Sequence, residues 1–143
     1  TTGKEITNDP GAGAAGGMGG GLLAFFNAEL KPGTELLLKA IDFSEKIKGA
    51  DLIITGEGKA DRQTAMGKVP YGILKEAQKE HIPVIVLAGS IENLPELNKA
   101  GFKGIFSIAP GPITLEKAME PEFAKENITR LVSQLYSVIT SFG

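Results

Sequence analysis

The 143-residue sequence has no cysteine, no tryptophan and a single histidine. The lack of cysteine excludes disulfides and thiolate metal sites, and it is compatible with the reducing cytoplasm, where we expect this protein to act. One histidine, His81, is too few for a histidine-rich metal site. Because His81 is predicted to lie at the end of a helix, we expect it to have no catalytic role.

A clustered excess of positive charge is also lacking. The sequence has 15 lysine and arginine residues against 17 acidic residues, which gives a net charge of -2. Nucleic-acid-binding surfaces usually carry a clustered basic excess, so we expect no nucleic-acid partner. No apolar run approaches the roughly 20 residues of a membrane-spanning helix and no signal sequence opens the chain, so we expect no membrane partner.

Three short apolar runs predict buried strands, at residues 52–54, 84–87 and 104–108. These runs of valine, isoleucine and leucine lack polar alternation, which is typical of parallel strands covered by helices on both faces. Helical patterns separate the runs in a βαβ manner. The sequence therefore predicts an α/β fold with a predominantly parallel sheet and flanking helices.

The helical patterns predict where the core lies. Helices are expected at residues 14–30, 34–40, 43–48, 70–80, 94–100, from 114, and at 121–142. Core positions are expected at Phe25, Phe26, Leu36, Leu37, Ile41 and Ile47, and at Ile73, Leu74 and Ala77 on the inner face of 70–80. The last helix is amphipathic through Phe123, Ile128, Leu131, Leu135, Val138 and Ile139, and we expect it to dock on the sheet.

Residues 55–68 follow the first predicted strand as a long loop rich in glycine and charge. Its glycines allow the backbone to approach a ligand closely, and its carboxylates, Glu57 and Asp61, can hold a metal or accept a proton. Its cationic residues can neutralise phosphate; they are Lys59, Arg62 and Lys68. This combination favours phosphoryl transfer.

In an open parallel sheet, ligands bind beyond the carboxyl ends of the strands. The second predicted strand leads into Gly89 and Ser90, and the third into residues 109–111, so we expect three loops to converge on one edge. Ser90 either caps the helix that begins at residue 94 or touches substrate, and the capping role is favoured.

The glycine-rich tract at 11–21 matches the GxGxxG pattern at residues 11–16. A dinucleotide site is disfavoured, because no convincing buried strand precedes the tract and no acidic residue follows about 20 positions later. Two interpretations of the tract remain. It is either a helix start packed against another element or an anion-binding helix N-terminus, and the anion-binding interpretation is favoured. The glycines expected at a ligand are Gly11, Gly13, Gly16 and Gly17.

The motif PGAGAAGG followed by TGEGxxDxQTxxGK resembles the C-terminal part of the bacterial glycerate kinases, which phosphorylate D-glycerate from ATP. The resemblance spans nearly the whole chain, with Lys59 and Ala60 as mild departures from the family pattern. Its segments are residues 10–19, 55–68, Pro70, 88–90 and 106–108. It implies that residues 1–143 form a single α/β lobe of a two-domain kinase, with substrate and phosphate loops at 11–21 and 55–69.

The family also implies an N-terminal portion with an Asp-Ser-Phe-Lys-Gly motif, which this sequence lacks. The chain opens without methionine, in the manner of mid-protein sequence, so we expect the N-terminal portion of the same protein as a partner. We therefore expect the isolated chain to be inactive. ATP, Mg²⁺ and D-glycerate are the implied cofactors and substrate.

The resemblance implies roles for individual residues. Asp61 is expected to orient or deprotonate the attacking hydroxyl, Glu57 or Asp61 to contact Mg²⁺, and Lys68 to meet a phosphate or the glycerate carboxylate. Gln63 and Thr64 either bind substrate hydroxyls or hold the loop through bonds to the backbone. The remaining expected substrate and phosphate contacts are Gly56 and Gly58, together with Ser90 and the tract glycines.

The mechanism requires that the segment after the first strand and the glycine tract share a pocket wall. A non-catalytic nucleotide- or anion-binding module is the alternative function, and a nicotinamide-dependent oxidoreductase is a weaker one. The sequence leaves open whether the product is 2- or 3-phosphoglycerate, which carboxylate is the base, and the oligomeric state.

Overall fold

The computed structural model describes residues 3, 5–26 and 28–142. A helical N-terminal segment precedes three strands that alternate with helices, and two helices follow them. The elements are α1 (Ala14–Phe26), α2 (Gly33–Ala40), α3 (Phe43–Lys46), β1 (Ile53–Ala60), a 3-10 turn (Arg62–Ala65), α4 (Val69–Lys79), β2 (Val84–Ile91), α5 (Leu94–Ala100), β3 (Gly104–Ser107), α6 (Leu115–Ala118) and α7 (Pro121–Thr140).

The three strands form one parallel sheet in the order β1-β2-β3. Ile53 of β1 is in register with Val84 of β2, and Ile85 of β2 is in register with Gly104 of β3. Each crossover contains one helix, as parallel neighbours require. The predicted α/β fold with a parallel sheet and flanking helices is confirmed.

The core lies between the sheet and the helices α3, α4 and α5. Val84 and Val86 of β2 are fully buried against Leu74 of α4 and Leu97 of α5. α4 begins at Val69, and Pro70 lies in its first turn, where its missing N–H costs no helical hydrogen bond. The predicted inner face of this helix is confirmed, because Leu74 and Ala77 are buried and Ile73 packs against the core.

Two strands are longer than predicted. β1 continues to Ala60 and β2 to Ile91, because the two strands pair over this extension. A Cβ on Gly89 would lie 2.7 Å from the Gly58 carbonyl oxygen, so glycine permits this close approach. The expectation of a loop from residue 55 onward is therefore wrong: Gly56, Glu57 and Gly58 lie in β1, and only residues 61–68 connect β1 to α4.

α1 begins within the glycine tract, but its regular part is shorter than predicted. Positive φ angles at Ala15, Gly16 and Gly17 delay the regular helix to Met18, and it ends at Phe26 rather than at residue 30. Residue 27 lies outside the described residues. None of the described helices is both long and apolar enough to cross a bilayer.

Several apolar residues predicted in the core are exposed. Ile47 is buried as predicted, but Leu38 takes the buried position on α2. The wrong core assignments are Phe25, Phe26, Leu36, Leu37 and Ile41. These side chains stay 41% to 75% exposed in the structure, so hydrophobicity alone did not place them inside.

α7 does not dock on the sheet along its length as predicted. None of its described side chains belongs to the core cluster, and Ile128, Val138 and Ile139 are exposed. Only its first turns approach the sheet edge, where Phe123 and Asn127 line a small cavity with Gly89.

Candidate functional site

The segment that follows β1 is held in a fixed conformation by Asp61 and Thr64. The Asp61 Oδ1 atom accepts hydrogen bonds from the backbone N–H groups of Gln63, at 2.9 Å, and Thr64, at 3.3 Å. In return, the Asp61 N–H donates to the Thr64 hydroxyl at 3.1 Å, which completes a capping box at the 3-10 turn. Thr64 was expected either to bind a substrate hydroxyl or to hold the loop through bonds to the backbone, and these contacts favour the second role. The role of the Gln63 side chain stays a prediction.

The Thr64 side chain is fully buried, and its hydroxyl also donates to the Lys59 carbonyl oxygen at 3.4 Å. Thr64 therefore ties the turn to the last residues of β1. Asp61 in turn is held at the carboxyl edge of the sheet, where ligands of open parallel sheets bind.

Lys68 pairs with Asp61 from the start of α4. Its Nζ atom lies 3.4 Å from Asp61 Oδ1, and both side chains are partly buried. Partial burial alone would raise the pKa of Asp61, but the hydrogen bonds from Lys68, Thr64 and Gln63 outweigh it and hold this pKa below its ordinary value. Asp61 is therefore ionised at neutral pH.

All three donors to Asp61 engage the same oxygen, Oδ1. Within residues 3, 5–26 and 28–142, the other oxygen, Oδ2, has no hydrogen-bond partner. Asp61 thus combines a fixed orientation with one oxygen left to accept a proton or contact a cation.

A second ion pair lies beside the first. The Lys59 Nζ atom lies 2.8 Å from Glu92 Oε1, and the Glu92 N–H donates to the Ala60 carbonyl oxygen at 2.7 Å. The hydrogen bond from Lys59 to Glu92, with a smaller contribution from the charge of Asp61, raises the pKa of Lys59. Two cations and two carboxylates therefore meet at the carboxyl ends of β1 and β2; we call Lys59, Asp61, Lys68 and Glu92 the charged cluster.

Sequence reasoning missed Glu92. Its relation to Lys59 depends on the register that places Lys59 opposite Ser90 and Ala60 opposite Ile91. Only an accurate prediction of where β1 and β2 end would have indicated that Glu92 lies beside Lys59.

Glu57 lies apart from Asp61, on β1 opposite Ala88. At about 3.3 Å per strand residue, four residues separate the two Cα atoms by about 13 Å, so the two carboxylates do not lie side by side. The described residues contain no group of three metal-ligating side chains. A Mg²⁺ ion that takes most of its ligands from phosphate and water fits a single carboxylate here, and metal binding by Glu57 or Asp61 stays a prediction.

Ser90 lies within β2, where its partner in register is Lys59. The residue that precedes α5 at its N-cap position is Asn93. The expected capping role of Ser90 is therefore wrong, and its contact with substrate stays a prediction.

The glycine tract is shaped by close packing of its backbone. The Gly20 N–H donates to the Ala12 carbonyl oxygen at 2.8 Å, and Gly19 and Gly20 are both buried. A Cβ on Gly20 would lie 3.1 Å from that carbonyl oxygen, and one on Gly19 would collide with the Gly11 carbonyl. This explains two glycines that sequence reasoning did not single out, and it supports the packing interpretation of the tract.

Other glycines of the tract face open space. A Cβ on Gly13, Gly16 or Gly17 would meet no atom within 4 Å, and Gly11, Gly16 and Gly17 have positive φ angles. Gly13 and Gly17 line an open groove of about 490 Å³ between α1 and residues 6–7. Anion binding by these glycines stays a prediction.

The glycine tract and the segment 61–68 do not share this groove. The segment borders a different groove, of about 400 Å³, through Met66 and Gly67. Neither groove is lined by both segments, and in the described part of the chain α1 makes at most slight contact with the sheet. The expected shared pocket wall is therefore not formed by this chain on its own.

A parallel α/β sheet with a fixed, charged turn at its carboxyl edge defines the class of open α/β proteins, whose ligands bind at that edge. Comparison with known proteins makes the class specific. The chain belongs to the glycerate kinase family, whose family model matches residues 1–140.

Individual relatives agree with this assignment. The chain is 47% identical over 119 residues to the glycerate kinase of Halalkalibacterium halodurans, a match that covers 82% of this chain and 31% of that protein. It is 42% identical over 127 residues to the glycerate 2-kinase of Escherichia coli, covering 88% of this chain and 33% of the relative.

The fold also matches a solved structure. A crystal structure from Salmonella typhimurium LT2, which carries a provisional glycerate kinase 2 name, superposes with a TM-score of 0.67 at 38% identity. The match covers 92% of this chain and 33% of that one. The chain thus spans about one third of the length of the relatives that it matches.

Proposed function

We propose that this chain is the C-terminal third of a glycerate kinase that transfers the γ-phosphoryl group of ATP to D-glycerate. The observation that carries the proposal is Asp61, held at the carboxyl edge of the sheet with one oxygen unpartnered, in a chain that belongs to the glycerate kinase family. The remaining two thirds of the family's length supply the other parts of the site. We call the polypeptide that contains both parts the family-length protein.

Asp61 acts on the hydroxyl of glycerate. The hydroxyl oxygen bonds to the γ-phosphorus while the bond from that phosphorus to the bridging oxygen breaks, so ADP leaves and phosphoglycerate forms. The hydroxyl proton passes to Oδ2 of Asp61. A carboxylate of low pKa is a weak base, which suits a loose transition state in which orientation of the hydroxyl matters more than early removal of the proton.

Lys68 and the charged cluster handle the negative charge of the reactants. Lys68 can hold a phosphate oxygen or the glycerate carboxylate close to Asp61, because its pairing with Oδ1 already fixes its ammonium beside the reacting hydroxyl. Lys59 lies next to this pair, where Glu92 balances its charge, so it can turn its ammonium to a phosphate oxygen only by leaving Glu92. Gly11, Gly13, Gly16 and Gly17 contact phosphate once further polypeptide closes the space between the two grooves.

Mg²⁺ would arrive with ATP and neutralise charge on the phosphate oxygens. Asp61 or Glu57 would hold it through one carboxylate, in line with the separation of these two residues along the chain. The relative from Escherichia coli is named a glycerate 2-kinase, which favours phosphorylation at the 2-hydroxyl for this protein as well. We place the reaction in the cytoplasm, in keeping with a chain that has no cysteine.

Substitution of Asp61 by asparagine in the family-length protein tests this role. Asparagine retains an oxygen at the Oδ1 position but cannot accept the proton, so we expect kcat to fall by about 100-fold or more with little change in ATP affinity. Asp51→Asn is the matched control, because this exposed carboxylate lies just before β1 and outside the charged cluster.

Turnover of the unsubstituted family-length protein, measured in the same experiment, distinguishes the kinase from the alternative function. A non-catalytic nucleotide-binding module would bind ATP and show no turnover in the unsubstituted protein. Unchanged kcat in Asp61→Asn would contradict the role given to Asp61.

A further inference from the structure

α1 presents four large apolar side chains to the surface. Met18, Leu22, Phe25 and Phe26 are 64%, 39%, 73% and 75% exposed. Their spacing of four, three and one residues places them on one side of the helix. We call these four residues the α1 face.

The opposite side of α1 is already packed. Gly20 lies buried against the backbone of Ala12 on the side of α1 opposite the α1 face, whereas Gly19 lies buried against Gly11 beside that face. The regular part of α1 is nine residues long, and a helix of this length is marginal in water without tertiary packing of an apolar face. Two adjacent, largely exposed phenylalanines therefore indicate a surface that another body covers.

The total surface of the chain supports this reading. Its accessible surface is 9823 Å² for a mass of 15.0 kDa, whereas a compact monomer of this mass exposes about 7,000 Å². The excess of about 2,800 Å² is larger than one partner's share of a standard interface, about 800 Å². This excess is a property of the whole chain, and the α1 face is one part of it.

We propose that the α1 face docks on the part of the family-length protein that this chain does not contain. The chain fills only 33% of the related crystal structure and 31% of the Halalkalibacterium halodurans relative, so about two thirds of the family's polypeptide is available to cover the α1 face. The occupant is an apolar surface of that polypeptide, within the same molecule. This inference rests on the proposal that further polypeptide completes the enzyme.

Peroxide oxidation of Met18 in the family-length protein tests the docking directly. An exposed methionine is oxidised readily and a covered one slowly. In a preparation shown to be monomeric by light scattering, we expect Met18 to be oxidised about tenfold more slowly than in the same protein unfolded in urea. A rate within about twofold of the unfolded one would overturn the proposal.

Protection that disappears when a dimer is diluted to a monomer would also overturn it, because the occupant would then be a second copy. Oxidation is read by peptide mass, independently of turnover, so the docking can fail while the kinase proposal stands.

Substitutions test whether the α1 face itself makes the contact. We expect the double variant Phe25→Ser and Phe26→Ser to raise the Met18 oxidation rate about fivefold or more in the family-length protein. Leu115→Ser on α6 is the matched control, because Leu115 is 78% exposed and outside α1, and we expect it to leave the Met18 rate unchanged. Should the double variant fail to fold, the milder Leu22→Gln takes its place, and a Met18 rate equal to that of the unsubstituted protein would refute the docking.

Discussion

Thr64 connects the buried interior to the carboxylate that we assign to catalysis. Its hydroxyl accepts from the Asp61 N–H and donates to the Lys59 carbonyl oxygen, while the side chain is fully buried. We expect Thr64→Val, which keeps the shape and removes the hydroxyl, to destabilise the chain by about 1 to 2 kcal/mol in urea unfolding. In the family-length protein it should lower kcat about tenfold, because Asp61 loses its fixed orientation.

Thr64→Ser separates the two effects. Serine retains the hydroxyl and loses only a buried methyl group, so stability should fall while kcat stays near that of the unsubstituted protein. Equal kcat values for the valine and serine variants would show that the hydroxyl does not position Asp61.

The lowered pKa of Asp61 makes a prediction about stability in acid. A carboxylate whose pKa is lower in the folded state contributes stability above its unfolded pKa, near 3.9, and this contribution is lost as pH falls through the folded pKa. The difference in thermal midpoint between the unsubstituted chain and Asp61→Asn should therefore be largest near pH 7 and shrink steadily below about pH 4. A constant difference for Asp61→Asn across this pH range would refute the assigned cause.

At the scale of the elements, the extension of β1 along β2 depends on a glycine. A Cβ on Gly89 would lie 2.7 Å from the Gly58 carbonyl oxygen, which is backbone and has little room to move. We expect Gly89→Ala to cost about 1 to 3 kcal/mol in urea unfolding, because the strands must separate at this point.

Gly58→Ala is the matched control on the facing strand. A Cβ at Gly58 would meet nothing within 4 Å, so this substitution should change stability by about 0.5 kcal/mol or less. Equal effects of the two substitutions would mean that the close approach of the strands does not require Gly89.

The same pairing explains which elements the sequence could predict. α5 has the predicted bounds, and β2 and β3 begin where their apolar runs begin, because buried helices and parallel strands carry their own periodicity. Residues 56–59 are glycine and charge, which disfavour a strand locally, and only pairing with β2 makes them one. Accordingly, the sequence predicted that Asp61 and Lys68 belong to one functional segment, whereas the Asp61–Lys68 and Lys59–Glu92 pairs themselves required the structure.

The wrong core assignments also have a physical cause. Phe25, Phe26, Leu36 and Leu37 are apolar enough to be buried, but the described part of the chain leaves at least half of each side chain exposed. Periodicity shows that a side chain is suited to burial, and it does not show whether the covering surface belongs to the same segment of polypeptide.

At the scale of the whole molecule, the separation of the two grooves predicts that the 143-residue chain alone is not a working kinase. The glycine tract and the segment 61–68 line different grooves, so in the described part of the chain neither groove is bordered by both of the expected ligand-binding segments. Phosphoryl transfer to an alcohol needs both reactants aligned in a site that excludes water, since water would otherwise accept the phosphoryl group.

We expect ADP release from ATP and D-glycerate by the isolated chain to be at least about 10⁴-fold slower than by the family-length protein, measured at equal concentrations. Circular dichroism on the same sample distinguishes a folded but inactive lobe from an unfolded one. Turnover by the folded chain at about 1 to 100 per second would place a complete site within these 143 residues and contradict the division of the site proposed above.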